Sequence, residues 1–144
     1  MAKETVIVSA CLLGVKSRYD GTDAFDGAAV KAAGAAPVPV CPEQLGGLRT
    51  PRPRCEVHSG DGLSVLEGTG SVKDEGGVDV TELFLNGAVE ALKIARITGA
   101  KRAVLKEGSP SCGVDRISRN GRPVRGSGVT AALFRREGIE IKGF

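Results

Sequence analysis

The sequence has few aromatic residues and only one histidine. Aromatic side chains make up 3% of the 144 residues, and tryptophan is absent. So few flat rings leave little for single-stranded bases to stack on, which argues against a dedicated single-strand-binding module. With one histidine, sites that need several imidazoles around one metal ion are also excluded. We expect His58 to be a surface loop residue rather than a metal ligand.

The sequence also lacks any long apolar run. No stretch approaches the ~20 residues that a membrane-spanning helix requires. The first residues, Met1-Ala2-Lys3-Glu4, lead into a strand-like segment without the apolar region of a signal peptide. We therefore expect a cytoplasmic protein with no membrane partner. A length of 144 residues suits one domain that spans residues 1–144.

Paired cysteine motifs are absent as well, although four cysteines are present. Cys11, Cys41, Cys55 and Cys112 are too widely spaced for a CxxC metal or redox motif. Structural disulfides are rare in the cytoplasm, because that compartment keeps thiols reduced. Counting alone therefore leaves two interpretations open: the cysteines are small buried hydrophobic residues, or they are ligands that the fold brings together.

The charged residues are unevenly distributed, although the net charge is only +3. Residues 96–144 carry 11 basic and 4 acidic side chains, and Arg116, Arg119, Arg122 and Arg125 are close in sequence. A basic segment of this kind can attract phosphate or nucleic acid. We favour a solvated basic face, so nucleic acid stays open as a partner without being the preferred one.

Short apolar strands alternate with helices along the chain. The pattern predicts strands at 5–10, 37–40, 103–105 and 139–142, and helices at 28–33, 79–98 and 129–136. The long helix begins with an Asp79/Glu82 pair that resembles a capping box, and Gly99 follows its last residue. Two prolines place the second strand near a sheet edge. This alternation predicts an α/β fold with a mostly parallel, Rossmann-like sheet and helices on both faces.

Two segments lack a clear pattern. Residues 41–62 are rich in proline, glycine and arginine and show no periodicity. We expect a long loop there, and such loops are usually functional. Residues 63–73 alternate loosely between apolar and polar. They are expected to form a hairpin or two short extended pieces.

Three of the cysteines follow predicted strands. Cys11 comes just after the first strand, Cys41 directly after the second, and Cys112 in the loop after the third. Ligands of open α/β sheets bind beyond the carboxyl ends of the strands, so these thiols are expected to converge on one site. Cys55 does not follow a strand in this way. Thiolates are soft ligands that suit iron–sulfur clusters, zinc or cuprous copper.

Other side chains near these cysteines have polar groups suited to catalysis. Glu43, two residues after Cys41, is the best-placed carboxylate for proton transfer, with a solvated loop charge as an equal alternative. Ser109 and Ser111 flank Pro110 in the turn before Cys112, where they can serve the substrate or simply form the turn. Asp20 is a candidate substrate acceptor or a local cap.

The remaining charged residues near the site are expected to be structural. Lys106 and Glu107 follow the third strand and are expected to pair with each other. Arg49, Arg52 and Arg54 are expected to be solvated loop charges, although together they could recognise an anion.

The sequence resembles the thiouracil desulfidase family. The resemblance covers essentially the whole chain, and the motifs are specific because several of them occur in the same order. They are Val8-Ser9-Ala10-Cys11-Leu12-Leu13-Gly14, Arg18-Tyr19-Asp20-Gly21, Cys41-Pro42-Glu43-Gln44-Leu45-Gly46-Gly47-Leu48, Gly108-Ser109-Pro110-Ser111-Cys112-Gly113 and Gly128-Val129-Thr130-Ala131-Ala132.

The resemblance implies a [4Fe-4S] cluster held by Cys11, Cys41 and Cys112, with one iron left open for the substrate. It implies a non-redox reaction in which a thiolated pyrimidine such as thiouracil gives uracil and sulfide. Glu43 corresponds to the proton shuttle, and Ser109 is preferred over Ser111 as the serine that acts in catalysis. Asp20 and Ser111 are then expected to contact the substrate, a small thiolated nucleobase.

One departure from the family pattern is Cys55, where alanine is more common. We expect a bystander thiol there. Two alternatives to thiouracil desulfuration remain: a desulfidase acting on thiolated RNA or another sulfur compound, and a non-enzymatic sulfide or metal carrier or sensor.

Overall fold

The computed structural model describes residues 3–144. The expectation for the first residues of the chain falls partly on Met1 and Ala2, outside that range. The strands, β1 to β8 in order, are Thr5–Ser9, Ala36–Val40, Cys55–Ser59, Ser71–Asp74, Arg102–Leu105, Arg116–Arg119, Arg122–Arg125 and Glu140–Gly143. The helices, α1 to α5, are Gly27–Ala33, Pro42–Leu45, Gly62–Leu66, Thr81–Thr98 and Val129–Arg136.

Four parallel strands form the central sheet in the order β2-β1-β5-β8. The inner strands β1 and β5 are apolar on both faces, as buried parallel strands require. The outer strand β2 contains Pro37 and Pro39, which cannot donate backbone hydrogen bonds and are exposed. The predicted edge position of this strand is therefore confirmed.

Helices cover both faces of this sheet. On one face Ile7 belongs to the main hydrophobic core, together with Phe84 of α4 and Phe134 of α5. On the other face Val6 and Val8 pack with Ala29 and other small residues of α1. Successive β1 side chains thus point to opposite layers, as the strand repeat demands. The predicted α/β architecture is confirmed.

Three local predictions were wrong. Residues 41–62 are not one loop, because they contain α2 and β3. Residues 63–73 do not form a hairpin by themselves: α3 occupies their first part, and β4 pairs antiparallel with β3. Asp79 accepts from the backbone N–H of Thr81 (2.9 Å) and forms no capping box, since Val80 is the N-cap of α4. The Arg-rich segment, for which no helix or strand was predicted, forms the antiparallel hairpin β6–β7.

Candidate active site

The carboxyl ends of three adjacent strands carry three of the four cysteines. Cys11 lies in a short 3-10 turn that begins directly after β1. Cys41 follows β2 and is the N-cap of α2. Cys112 lies in the loop that follows β5. Because β2, β1 and β5 are neighbours in the sheet, the topology brings these residues to one edge, and all three line a single cavity of about 330 Å³.

A close approach between two helices fixes the segment that carries Cys41 and Glu43. Gly46 and Gly87 face each other where α2 packs on α4. A Cβ atom on Gly46 would overlap the Leu83 carbonyl, and one on Gly87 would overlap the Pro42 carbonyl. Glycine has no side chain, so the two backbones can touch. The long helix α4 thereby holds the short helix that presents Glu43 to the cavity.

The loop before Cys112 is organised by Ser109. Its Oγ accepts hydrogen bonds from the backbone N–H groups of Ser111 (3.1 Å) and Cys112 (3.0 Å). Gly128, at the start of α5, lies so close that a Cβ atom there would overlap the Ser111 backbone. The Ser111 carbonyl in turn accepts from Thr130 N–H in the first turn of α5 (2.8 Å). Ser109 and α5 therefore fix the backbone around Ser111 and Cys112.

Glu43 is held by one partner nearby in the sequence and one far from it. Its Oε1 pairs with Nε of Arg52 at 3.0 Å, and its Oε2 accepts from the Ser111 hydroxyl at 3.2 Å. The side chains of Arg52 and Glu43 are 3% and 12% exposed, whereas the other ion pairs among residues 3–144 are largely solvated. The carboxylate is therefore fixed in the cavity wall, beside both Cys41 and Cys112.

The cysteine sulfurs lie in a desolvated and mutually repulsive environment. Burial raises the pKa of Cys11, and the neighbouring charge of Cys41 raises it further, against the opposing charge of Lys106. Burial also raises the pKa of Cys41, although the N–H of Gln44 lowers it. For Cys112 burial raises the pKa to about 12, despite hydrogen bonds from Ser9 and Ser111. Each thiolate therefore favours a positive partner that replaces its proton.

Cys55 also lines the cavity. Its position at the start of β3, in a sheet separate from the central one, is why the strand order of the central sheet did not predict this. Its sulfur donates to the Pro53 carbonyl at 3.4 Å. Burial, followed by the charges of Glu43 and Asp74, raises the pKa of Cys55 to about 12. The charge of Cys41 raises the pKa of Cys11, and the charges of Cys41 and Cys11 raise that of Cys112, so these three thiols are mutual neighbours. We call Cys11, Cys41 and Cys112 the thiol triad.

The donor set of the thiol triad fits an iron–sulfur cluster. All its members are free thiols, and thiolate is the usual ligand of such clusters. Ser9 and Ser111 direct hydroxyl groups to the Cys112 sulfur, an interaction that tunes metal-bound thiolates. Within residues 3–144 no three His, Cys, Asp or Glu side chains are grouped closely enough to hold a single metal ion.

Two predicted site residues have different surroundings from those expected. Asp20 is exposed and does not line the cavity; its Oδ1 accepts from the N–H (3.0 Å) and hydroxyl (2.5 Å) of Thr22, which lowers its pKa. The Asp20 carboxylate therefore serves a local turn. Ser111, rather than Ser109, touches Glu43, and Ser109 is one step further away, with its Oγ 3.0 Å from that of Ser111. His58 is exposed, as expected, but it lies in strand β3 rather than in a loop.

The charged residues that were expected to be structural have different surroundings in the structure. The Glu107 carboxylate accepts from the backbone N–H groups of residues 114–116, and Lys106 Nζ donates to the Glu107 backbone carbonyl at 3.1 Å instead of pairing with that carboxylate. Lys106 lines the cavity near Cys11. The prediction that Arg52 is a solvated charge was wrong, because the residue is buried. Arg54 is also partly buried and donates to the Ser118 hydroxyl at 2.9 Å.

The β6–β7 hairpin forms part of the cavity wall through Ser118, Gly121 and Pro123. Glu56 of β3 holds its tip by accepting from the backbone N–H groups of Asn120 (3.1 Å) and Gly121 (3.0 Å). Three arginines of this hairpin, Arg116, Arg122 and Arg125, are exposed. The fourth, Arg119, donates to backbone carbonyls of Val57 and Gly60.

No helix in the described part of the chain is long and apolar enough to span a membrane.

Comparison with known proteins agrees with the geometry of the cavity. The chain is 41% identical over 140 residues to an uncharacterized protein, YbbK, of Bacillus subtilis (strain 168), covering 94% of this chain and 93% of that protein. It is 43% identical to the solved structure of a [4Fe-4S]-dependent thiouracil desulfidase, TudS, with a TM-score of 0.84 and coverage of 98% and 91% of the two chains. The family model described as 2-thiouracil desulfurase matches residues 6–143. The chain belongs to this family.

Proposed function

We propose that the protein is a [4Fe-4S]-dependent desulfidase that converts a thiolated pyrimidine such as thiouracil into the oxygen analogue and sulfide. The main support is the placement of Glu43 and Ser111 in hydrogen-bond contact beside the thiol triad, in one cavity. Cys11, Cys41 and Cys112 would hold the cluster. Family membership and the named activity of the similar structure support the same assignment.

The reaction exchanges one sulfur atom for the oxygen of water and transfers no electrons overall. When bound, the cluster supplies a soft Lewis acid that prefers a thiocarbonyl sulfur and withdraws electron density from the ring carbon. Glu43 accepts a proton as water forms a bond to that carbon, and it returns a proton as the carbon–sulfur bond breaks. The sulfur leaves as sulfide, so atoms and charge balance without an external oxidant or reductant.

The cavity supports a substrate of small size. At about 330 Å³ it lies near the lower end of the range for small-molecule pockets. Ser111 directs its hydroxyl to Glu43 and fixes the direction in which the carboxylate exchanges a proton.

Proteins with free cysteines of this kind suit a reducing compartment, and we propose a cytoplasmic location. One domain over residues 1–144 stays a prediction.

Anaerobic purification tests this proposal. Iron and acid-labile sulfide are measured per chain, and uracil release from thiouracil is assayed on the same sample. We expect a full cluster and stoichiometric release of uracil and sulfide. A full cluster without any uracil release would contradict the proposed activity, and Cys112→Ser provides the matched cluster-free control.

Thiolated RNA is the second candidate substrate, supported by the exposed arginines of the β6–β7 hairpin. Those side chains lie on the element that lines the cavity, where they can contact phosphates around a thiolated base. Binding through phosphates weakens steeply with salt. A steep salt dependence of tRNA binding, lost in an Arg122→Gln/Arg125→Gln variant, would favour this candidate. Binding of free thiouracil with no measurable affinity for tRNA would exclude it.

A carrier or sensor without catalysis would need the thiol triad but not the carboxylate. Glu43→Ala separates the two functions. An unchanged cellular function of this variant, with the cluster intact, would favour the carrier, whereas loss of function with an intact cluster supports the enzyme.

A further inference from the structure

Arg52 is the most completely bonded charged side chain at the cavity. Its side chain is 3% exposed. Nη1 donates to Thr50 Oγ1 at 2.8 Å, and Nη2 donates to the Ser17 carbonyl at 2.9 Å. Nε donates to Glu43 at 3.0 Å. Each nitrogen of the guanidinium group therefore has a partner, and the orientation of the planar group is fixed.

This fixed orientation is transmitted to Glu43. A carboxylate with a single partner can rotate about that contact, but the two oxygens of Glu43 are held by Arg52 and Ser111 on opposite sides. Nη2 of Arg52 also lies 4.0 Å from the Cys41 sulfur. One cation thus faces both the carboxylate and a thiol of the triad, where it offsets negative charge on each of them.

We propose that Arg52 is a positioning residue that holds Glu43 in hydrogen-bond contact with Ser111 and thereby sets the rate of proton transfer. The inference rests on the proposed function of Glu43. Arginine suits this role because its fork of N–H groups binds several acceptors in fixed directions, whereas lysine is a flexible point charge. In the proposed reaction the effect of Arg52 passes through Glu43.

A double-mutant cycle in turnover tests the proposal. The variants are Arg52→Gln, Glu43→Gln and the double variant, with Arg49→Gln as the control from the same loop, because Arg49 is exposed. Proton transfer by a placed side chain contributes about 10²–10⁴-fold. We expect Arg52→Gln to lower kcat by about 10²-fold or more with little change in KM. The double variant should be no slower than Glu43→Gln alone, and Arg52→Lys should restore part of the rate.

Two results would contradict the positioning role of Arg52. Additive losses in the double variant would show that Arg52 acts independently of Glu43. Loss of iron in Arg52→Gln, with full iron in Arg49→Gln, would show that Arg52 maintains the site itself rather than the carboxylate. Either result overturns the proposal.

A crystal structure of cluster-free Arg52→Gln separates this inference from the proposed activity. We expect the Glu43 carboxylate to lose contact with Ser111 in this variant and to keep it in Arg49→Gln. An unmoved Glu43 overturns the positioning role, even if the wild-type protein proves inactive on thiouracil. Inactivity of the wild type with a displaced Glu43 in the variant contradicts the proposed function alone.

Discussion

The hydroxyl of Ser111 donates to Oε2 of Glu43 at 3.2 Å, across 68 positions of sequence. This hydrogen bond joins α2 to the loop after β5. Cys41 is the N-cap of α2, and Cys112 lies in that loop. The groups proposed to move protons are therefore positioned by the same backbone segments as the groups proposed to hold the cluster.

Ser111→Ala and Ser109→Ala separate a role in turnover from a role in stability. Ser111→Ala removes the hydrogen bond to Glu43, so we expect a large loss of kcat. Ser109→Ala leaves two backbone N–H groups without their acceptor, which costs about 1–3 kcal/mol for each buried group. Thermal unfolding and kcat of both variants check the assignment. Equal loss of kcat without loss of stability in Ser109→Ala would instead support Ser109 as the catalytic serine.

Serine substitution of each cysteine tests the ligand set. We expect Cys11→Ser, Cys41→Ser and Cys112→Ser to lose the cluster, because a serine hydroxyl is a hard and weakly acidic replacement for a soft thiolate. Cys55→Ser is expected to retain full iron, since Cys55 lies on β3, outside the central sheet whose strand ends carry the triad. Iron and sulfide per chain are measured after anaerobic reconstitution. Full iron in any of the first three variants would remove that cysteine from the ligand set.

Gly87→Ala is expected to destabilise the fold and displace the Cys41–Glu43 segment. The added methyl group would overlap the Pro42 carbonyl, and overpacking of this kind costs about 1–3 kcal/mol. Gly27→Ala in α1 is the matched control, because nothing lies within 4 Å of its added methyl group. That control should be neutral or stabilising by up to about 1 kcal/mol. Chemical denaturation of both variants gives the comparison; equal stability would mean that α2 and α4 are not in tight contact.

Acid is expected to loosen the β6–β7 hairpin through Glu56. Partial burial opposes ionisation of this carboxyl, but hydrogen bonds from Gly121, Ser118 and Asn120, with the charge of Arg54, lower its pKa below the ordinary value. Because the pKa of Glu56 is lower in the folded than in the unfolded protein, the ionised carboxylate stabilises the hairpin above about pH 4.5. This stabilisation disappears as the pH falls through the pKa of the folded state. Amide exchange at Asn120 and Gly121 measures this opening.

Glu56→Gln should make the exchange of these amides nearly independent of this carboxyl titration, because the carboxyl group has been removed. Glu67→Gln, at an exposed residue, should leave the acid-induced opening unchanged. An opening that persists at the same pH in Glu56→Gln would assign it to another group.

The position of the thiol triad was predictable from the sequence because it depends on topology. Apolar strands followed by Cys11, Cys41 and Cys112 are enough to place those residues at one sheet edge, once the strands are parallel and adjacent. Arg52 was not predictable in the same way. Its burial depends on tertiary contacts, with the Ser17 carbonyl and with Glu43, and a Pro-Arg-rich segment otherwise resembles a solvated loop.

Two other features could not be predicted from the sequence for similar reasons. The pairing of β3 with β4 spans an intervening helix, so no local turn signal marks the hairpin, and the approach of Cys55 to the cavity was missed with it. Whether Ser109 or Ser111 faces Glu43 depends on the direction of one hydroxyl in a turn. Both serines suit such a turn equally well, so only three-dimensional geometry separates them.

The most direct test of the central claim is anaerobic turnover of thiouracil in isotopically labelled water, with no electron donor or acceptor present. The account predicts that each uracil released carries one oxygen atom from the labelled water and is accompanied by one sulfide, in the wild type and not in Cys112→Ser. Uracil without the label, or turnover that requires an added reductant, would contradict a hydrolytic, non-redox desulfuration.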